Sequence, residues 1–239
     1  VWNSHAFNLT QDDTIMNGWV NVTYTNTRTH VAQGLFDSRW IFTQHVPPFQ
    51  QREYCATHTF PDGTHLFQLA SHTHRHGIRW RYFDAPQQPC PTAPGSNTNA
   101  DCMPGDSAFY ESYDYSDPLT VNYDPPKYYT GDVAHRTVKF CSLYDNGQLD
   151  PDTVKRQSTS PTPTGGLIFG GPCSDADVVC MGGTNKGLNC HGNDSECPDP
   201  NNPANPSGIA KCDACELLGG VTTEDEMFIA LGAFYTDSQ

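Results

Sequence analysis

The chain has 239 residues, enough to bury a sizeable core in one all-β domain or two smaller ones. It carries 13 Lys and Arg against 27 Asp and Glu, a net charge of −14 with no basic patch, which argues against nucleic acid and anionic membrane surfaces as partners. No apolar run is long enough to cross a bilayer and no signal peptide is visible, while the opening Val1-Trp2-Asn3-Ser4-His5 has strand character, as expected of a processed or truncated product.

Along the chain, strand signals dominate and helix signals are nearly absent. Thr14 to Thr27 reads as a strand through Trp19, Val20, Val22 and Tyr24, and Gly34 to Phe42 as another. Leu66 to Phe83 reads as a hairpin-like pair around a histidine cluster, with Gly77 near its turn or bulge. Thr137 to Tyr144 alternates in polarity, and Phe228 to Tyr235 is an apolar run suited to a buried central strand. With 20 Gly and 19 Pro punctuating these runs, the pattern predicts an antiparallel β-sandwich of jelly-roll type, one domain over 1–239.

Two stretches read as insertions, 85–105 and 158–220. The first is rich in Pro, Asn and Gln, and its Cys90 and Cys102 are expected to close it on itself. The second holds Cys173, Cys180, Cys190, Cys197, Cys212 and Cys215 among Gly, Asn, Asp and Pro, with too few apolar residues for a core of its own. Ten cysteines in all point to disulfides in a secreted, periplasmic or extracellular protein. The six are expected to pair among themselves, which allows 15 connectivities. Cys212-Asp213-Ala214-Cys215 could instead be half of a zinc site, but a second such pair is missing and His191 is the only imidazole nearby. Asp175, Asp177, Asp194 and Asp199 could hold calcium, yet no EF-hand spacing is present and a solvated acidic loop is the better reading.

The chemistry concentrates at Ser71-His72-Thr73-His74-Arg75-His76-Gly77. A strand repeats its side-chain direction every second residue, so His72, His74 and His76 would share one face. Two imidazoles on a rigid sheet form a chelate for a borderline transition metal, and the alternative is a solvated polar face that happens to be His-rich. His76 shares that face, but a role as a third imidazole or as a neighbour that orients the other two is the less favoured reading of it. Far downstream, Met227 ends Glu224-Asp225-Glu226-Met227. Alone it reads as core filling, but with two imidazoles its thioether makes a donor set that suits copper. His58 and His65 flank the Phe60-Pro61-Asp62-Gly63 turn and read as surface residues, and His30, His45, His135 and His191 carry no motif.

These motifs, in this order, resemble the second catalytic domain of the copper type II, ascorbate-dependent monooxygenases, the family of peptidylglycine α-hydroxylating and dopamine β-monooxygenases. Asn3-Ser4-His5-Ala6-Phe7-Asn8 resembles its His-Tyr-x-Asn segment and His72-Thr73-His74-Arg75-His76-Gly77 its His-Thr-His-x-x-Gly. Gly131-Asp132 with Phe140-Cys141-Ser142-Leu143-Tyr144-Asp145 resembles Pro-Gly-Asp and Cys-Thr-Tyr-Asp, and Glu224-Asp225-Glu226-Met227 resembles Thr-x-Asp-Glu-Met. The resemblance implies an oxygen-activating copper held by His72, His74 and Met227, the residues that would carry the oxidation of a substrate C–H bond. It implies His5 as a remnant ligand of a first copper site, with ascorbate as electron donor. Most ligands of that first site belong to a preceding domain, so the resemblance also implies an N-terminal copper domain or partner chain. Hydroxylation needs two electrons and one copper stores one, so this chain alone is expected to give slow or uncoupled turnover.

Departures from the family pattern matter too. The Arg, Asn and Tyr of the peptide-hydroxylating branch correspond to Ala70, Ile229 and Leu231, which removes the clamp for a glycine-extended peptide. The family cysteine after the methionine is Phe228, which leaves Cys141 to pair with Cys55. A non-catalytic extracellular module that keeps one copper site, or serves only as structure in a larger assembly, is the alternative function.

Overall fold

The computed structural model describes residues 27, 29–84, 108–159, 173–203, 206–220 and 224–237. His5, the strand expected over 14–27 and the Cys90–Cys102 pairing lie outside them. Along the described chain the strands are β1 (Gln33–Asp37), β2 (His45–Val46), β3 (Gln50–Thr59), β4 (Thr64–His72), β5 (Gly77–Phe83) and β6 (Tyr110–Ser112). They continue as β7 (Val121–Tyr129), β8 (Thr137–Asn146), β9 (Val179–Cys180), β10 (Cys212–Ala214), β11 (Leu217–Leu218) and β12 (Ile229–Thr236), with three single-turn 3-10 segments between them.

Two four-stranded antiparallel sheets form a sandwich, with strand orders β1-β12-β4-β7 and β3-β8-β5-β6. One core lies between them. Leu35, Leu66, Leu69, Tyr129, Ala230 and Phe234 of the first sheet meet Tyr54, Ala56, Trp80, Tyr82, Tyr110, Val138, Phe140 and Tyr144 of the second. Its weight is aromatic: Trp80 stacks on Phe140 at 5.8 Å, and Phe228 packs 5.1 Å from both rings. Phe228 thereby fixes the entry of β12, and Met227, just before it, is held where the chain reaches the sandwich.

The hairpin expected over Leu66 to Phe83 is not formed. β4 pairs with β12 and β7, while β5 pairs with β8 and β6, so the histidine-bearing segment carries the chain from one sheet to the other. The strand ends at His72, and a turn closed by the Gly77 N–H on the His74 carbonyl at 3.0 Å follows. Gly77 serves as turn residue and at a register shift of β5 on β8. A Cβ at this position would sit 2.5 Å from the Thr73 Cβ, so the turn packs too tightly for a side chain. The strand expected over Gly34 to Phe42 stops at Asp37, where turns begin. β12 does lie centrally, between β1 and β4. β8 alternates in polarity but is buried on both faces, because Cys55, Cys141, Phe83 and Ala108 cover its outer side.

Cys55 sits within β3, directly opposite Cys141 on β8, and the two are bonded. The six downstream cysteines pair among themselves as Cys173–Cys215, Cys180–Cys197 and Cys190–Cys212. This excludes the zinc reading of Cys212 and Cys215, since neither sulfur is a thiolate. Their bridges, with Val178 and Ala210, make a small core of their own. The unit docks on the sandwich through the β11–β2 pairing and an Arg156–Ala214 bridge. Its aspartates are engaged separately: Asp175 with Gln157, Asp177 with Ser174, Asp194 with Lys211 and the Cys212 N–H, and Asp199 with Asn202.

Candidate metal centre

His72 is the last residue of β4 and lies opposite Ile229, the first of β12. Past this pair the segment before β12 stays close to the histidine turn, through Asp225 and Glu226 to His74, and Met227 lies two residues before Ile229. His72, His74 and Met227 are all half-buried. The two imidazole rings lie 5.3 Å apart, centroid to centroid, and nearly perpendicular at 89°. Rings sharing one metal at the ~2.0–2.1 Å bond length of imidazole–zinc sites would have centroids about 5–6 Å apart. The spacing fits one shared ion.

The His74 ring donates Nδ1–H to the Asp225 carbonyl at 2.8 Å. A carbonyl can only accept, so a proton sits on Nδ1, and in the neutral ring the lone pair is then on Nε2, the arrangement in which an imidazole ligates a metal. His76 is built differently. Its Nδ1–H goes to the Asp145 carbonyl at 3.1 Å and its Nε2 receives the Arg75 Nε–H at 3.3 Å. With only 3 % of its surface exposed, it is a structural imidazole inside the turn. Burial and the neighbouring Arg75 push its pKa down to about 4, which favours the neutral ring. The three-histidine face expected from strand alternation is therefore absent, because the backbone leaves the strand after His72.

What brings the two distant segments together is Glu226, whose side chain is completely buried. Its Oε2 accepts the His74 backbone N–H at 2.8 Å and its Oε1 that of His76 at 2.6 Å. Burial pushes its carboxyl up to about 8, against the downward pull of backbone N–H groups from His74, His76, Met227 and Gly77. The flanking residues are pinned as well. The Tyr144 hydroxyl donates to the Met227 carbonyl at 2.8 Å, Lys155 Nζ pairs with Asp225 at 2.7 Å, and Arg75 pairs with Glu224 at 3.0 Å. Sequence reasoning assigned no role to Asp225, Glu226 or Lys155. The available signal was an acidic run directly before a buried apolar strand, where carboxylates must find partners.

A cleft of about 410 Å³ adjoins the turn, lined by Arg75, His76, Ile78, Tyr115, Asp145, Asp150, Asp152 and Thr153. The other histidines among the described residues have local partners. His58 bonds Asp37 at 3.0 Å, and His65 bonds Asp237 at 2.7 Å between the rings of Tyr128 and Tyr235. His30 stacks on Tyr235, while His45, His135 and His191 pair with Glu216, Asp132 and Glu196. In the closely grouped sets Cys180-Cys190-Cys197 and Glu53-Cys55-Cys141 every sulfur is in a disulfide, and Glu53, the remaining donor, pairs with Arg81, so neither is a metal site.

Comparison with family models, with curated proteins and with solved structures returns no match. The functional reading therefore rests on the donor set and its geometry.

Proposed function

We propose that the chain is a copper-binding domain of the ascorbate-dependent monooxygenase type, with His72, His74 and Met227 as the ligands of its oxygen-activating site and electrons supplied by a separate domain or chain. The observation that carries this reading is the perpendicular His72–His74 pair at 5.3 Å, beside a segment that bonds His74 through Asp225 and Glu226 and continues directly into Met227. When bound, copper would supply one-electron redox chemistry and the activation of dioxygen toward a substrate C–H bond. The chain's own part is to hold the imidazoles in the ligating tautomer, through Asp225 for His74, and to keep the site at the junction of two rigid sheets.

Three observations support the reading. Imidazole serves both copper oxidation states, and a thioether favours Cu(I), so the set suits a metal that cycles between them. The acidic side chains before Met227 are engaged elsewhere, Glu226 by backbone N–H groups, Asp225 by Lys155 and Glu224 by Arg75, which leaves a donor set softer than calcium or magnesium would select. The four disulfides among the described residues support an oxidising, extracytoplasmic compartment. No helix among the described residues is long and apolar enough to cross a membrane.

Met227→Ile tests the assignment, because it removes the sulfur and keeps the bulk. Cu(I) affinity should fall about tenfold or more while Cu(II) affinity changes little, as expected when only the soft ligand is lost. Unchanged Cu(I) affinity would remove Met227 from the site.

A further inference from the structure

Lys155 and Asp225 form an ion pair at 2.7 Å with side chains only 1 % and 3 % exposed. Burying two charges costs several kcal/mol per ion, and apolar residues of similar volume hold a fold as well or better. Stability alone thus does not account for the pair.

Its placement does. The Asp225 carbonyl is the group that receives the His74 Nδ1–H at 2.8 Å. Fixing the Asp225 side chain fixes the direction of that carbonyl, and so the rotation and tautomer of the His74 ring. Lys155 is itself anchored on its other side. Its N–H is donated to Asn146 Oδ1 at 2.8 Å and its carbonyl accepts the Cys215 N–H at 2.9 Å. Asn146 Nδ2 donates to the carbonyls of Val46 at 2.9 Å and Cys215 at 2.8 Å. Cys215 is bonded to Cys173. A continuous chain of contacts runs from the cysteine-rich unit through Lys155 and Asp225 to His74.

We propose that Lys155 is a positioning residue for His74, and that the cysteine-rich unit sets the candidate metal centre through the Lys155–Asp225 pair. This rests on the reading of His72, His74 and Met227 as metal ligands, and it explains why a disulfide-stapled unit is docked on this end of the sandwich. The unit holds the cation that orients a ligand.

The experiment uses the full chain, copper-free and copper-loaded, with two variants. Lys155→Met/Asp225→Leu removes both charges together, which avoids leaving one buried and unpaired. Asp225→Asn keeps the shape and the carbonyl but weakens the pair. Histidine ¹⁵N NMR on the copper-free protein reads the His74 Nδ1–H directly, and copper affinity and the Cu(II) paramagnetic resonance spectrum read the site. In the parent, the His74 Nδ1–H should exchange slowly, because the Asp225 carbonyl holds it at 2.8 Å. In variants that keep the native disulfide map, that protection should fall at least tenfold, copper affinity about 10- to 100-fold, and the Cu(II) spectrum should change, as for other partners that orient a ligating histidine. A folded variant with the parental His74 signal and parental affinity overturns the proposal. So does failure of both variants to fold, which would make the pair a requirement of the fold rather than of the site. If the variants lose the His74 protection but the parent binds no copper, the positioning of His74 stands and the copper reading falls.

Discussion

Glu226 and His74 are 152 residues apart in sequence, yet the buried Glu226 carboxyl group accepts the His74 backbone N–H at 2.8 Å. Its second oxygen does the same for His76, so one side chain closes the crossover between the two sheets. Glu226→Ala should leave these donors buried without acceptors and destabilise the protein by about 3 kcal/mol, at about 1–3 kcal/mol per unsatisfied group. Urea unfolding measures it, and the same variant should bind copper more weakly because His74 loses its backbone anchor. A loss under about 0.5 kcal/mol would mean that water replaces the carboxyl group.

Much of this fold is legible in the sequence, and the rest fails for identifiable reasons. β5, β8 and β12 show themselves as apolar or alternating runs. β3 does not, because Gln50-Gln51-Arg52-Glu53 opens it with polar residues on an edge strand. β7 hides behind Pro125 and Pro126, which an edge position tolerates since no inner ladder bond is lost. The β4–β5 hairpin is expected because consecutive strands usually pair, and it fails because the turn at His74–Gly77 delivers β5 to the other sheet. In the site, the His72–His74 pair and Met227 stand out as residue types with metal chemistry. Glu226 does not, because acids before a strand are ordinarily solvated, and nothing local marks Lys155 as buried.

The Cys55–Cys141 bridge joins directly opposed residues of β3 and β8 and closes a sequence separation of 86 residues. Cys55→Ala with Cys141→Ala should cost about 2–5 kcal/mol, the usual range for a native disulfide, without changing the connectivity of the downstream six. Thermal unfolding and peptide mapping under non-reducing conditions check both statements. Scrambling among the six in this variant would show that the two parts do not form their bridges independently.

Asp37 gives the fold an acid-sensitive joint. Burial alone would raise its pKa, but hydrogen bonds from Arg39 and His58 outweigh that and hold it well below the usual carboxylate range. A pKa lower in the folded than in the unfolded state contributes stability above the ordinary carboxylate range, lost as pH falls toward the depressed value. Unfolding free energy should therefore drop on acidification below about pH 4, and Asp37→Asn should flatten that limb while lowering stability at neutral pH. Denaturant melts from pH 7 to pH 2 decide it, and an unchanged acid limb in the variant would contradict the assignment.

The most direct test of the account is the copper content and ligand set of the purified chain. Titration followed by X-ray absorption on the Cu(I) form should give one tightly bound copper per chain, with two imidazole nitrogens and one sulfur. His72→Ala with His74→Ala should abolish that binding and leave the disulfide map and β-sheet signature intact, since neither ring belongs to the sandwich core. Stoichiometric copper in the double variant, or a parent whose bound copper shows no sulfur neighbour, would contradict the site assigned to His72, His74 and Met227.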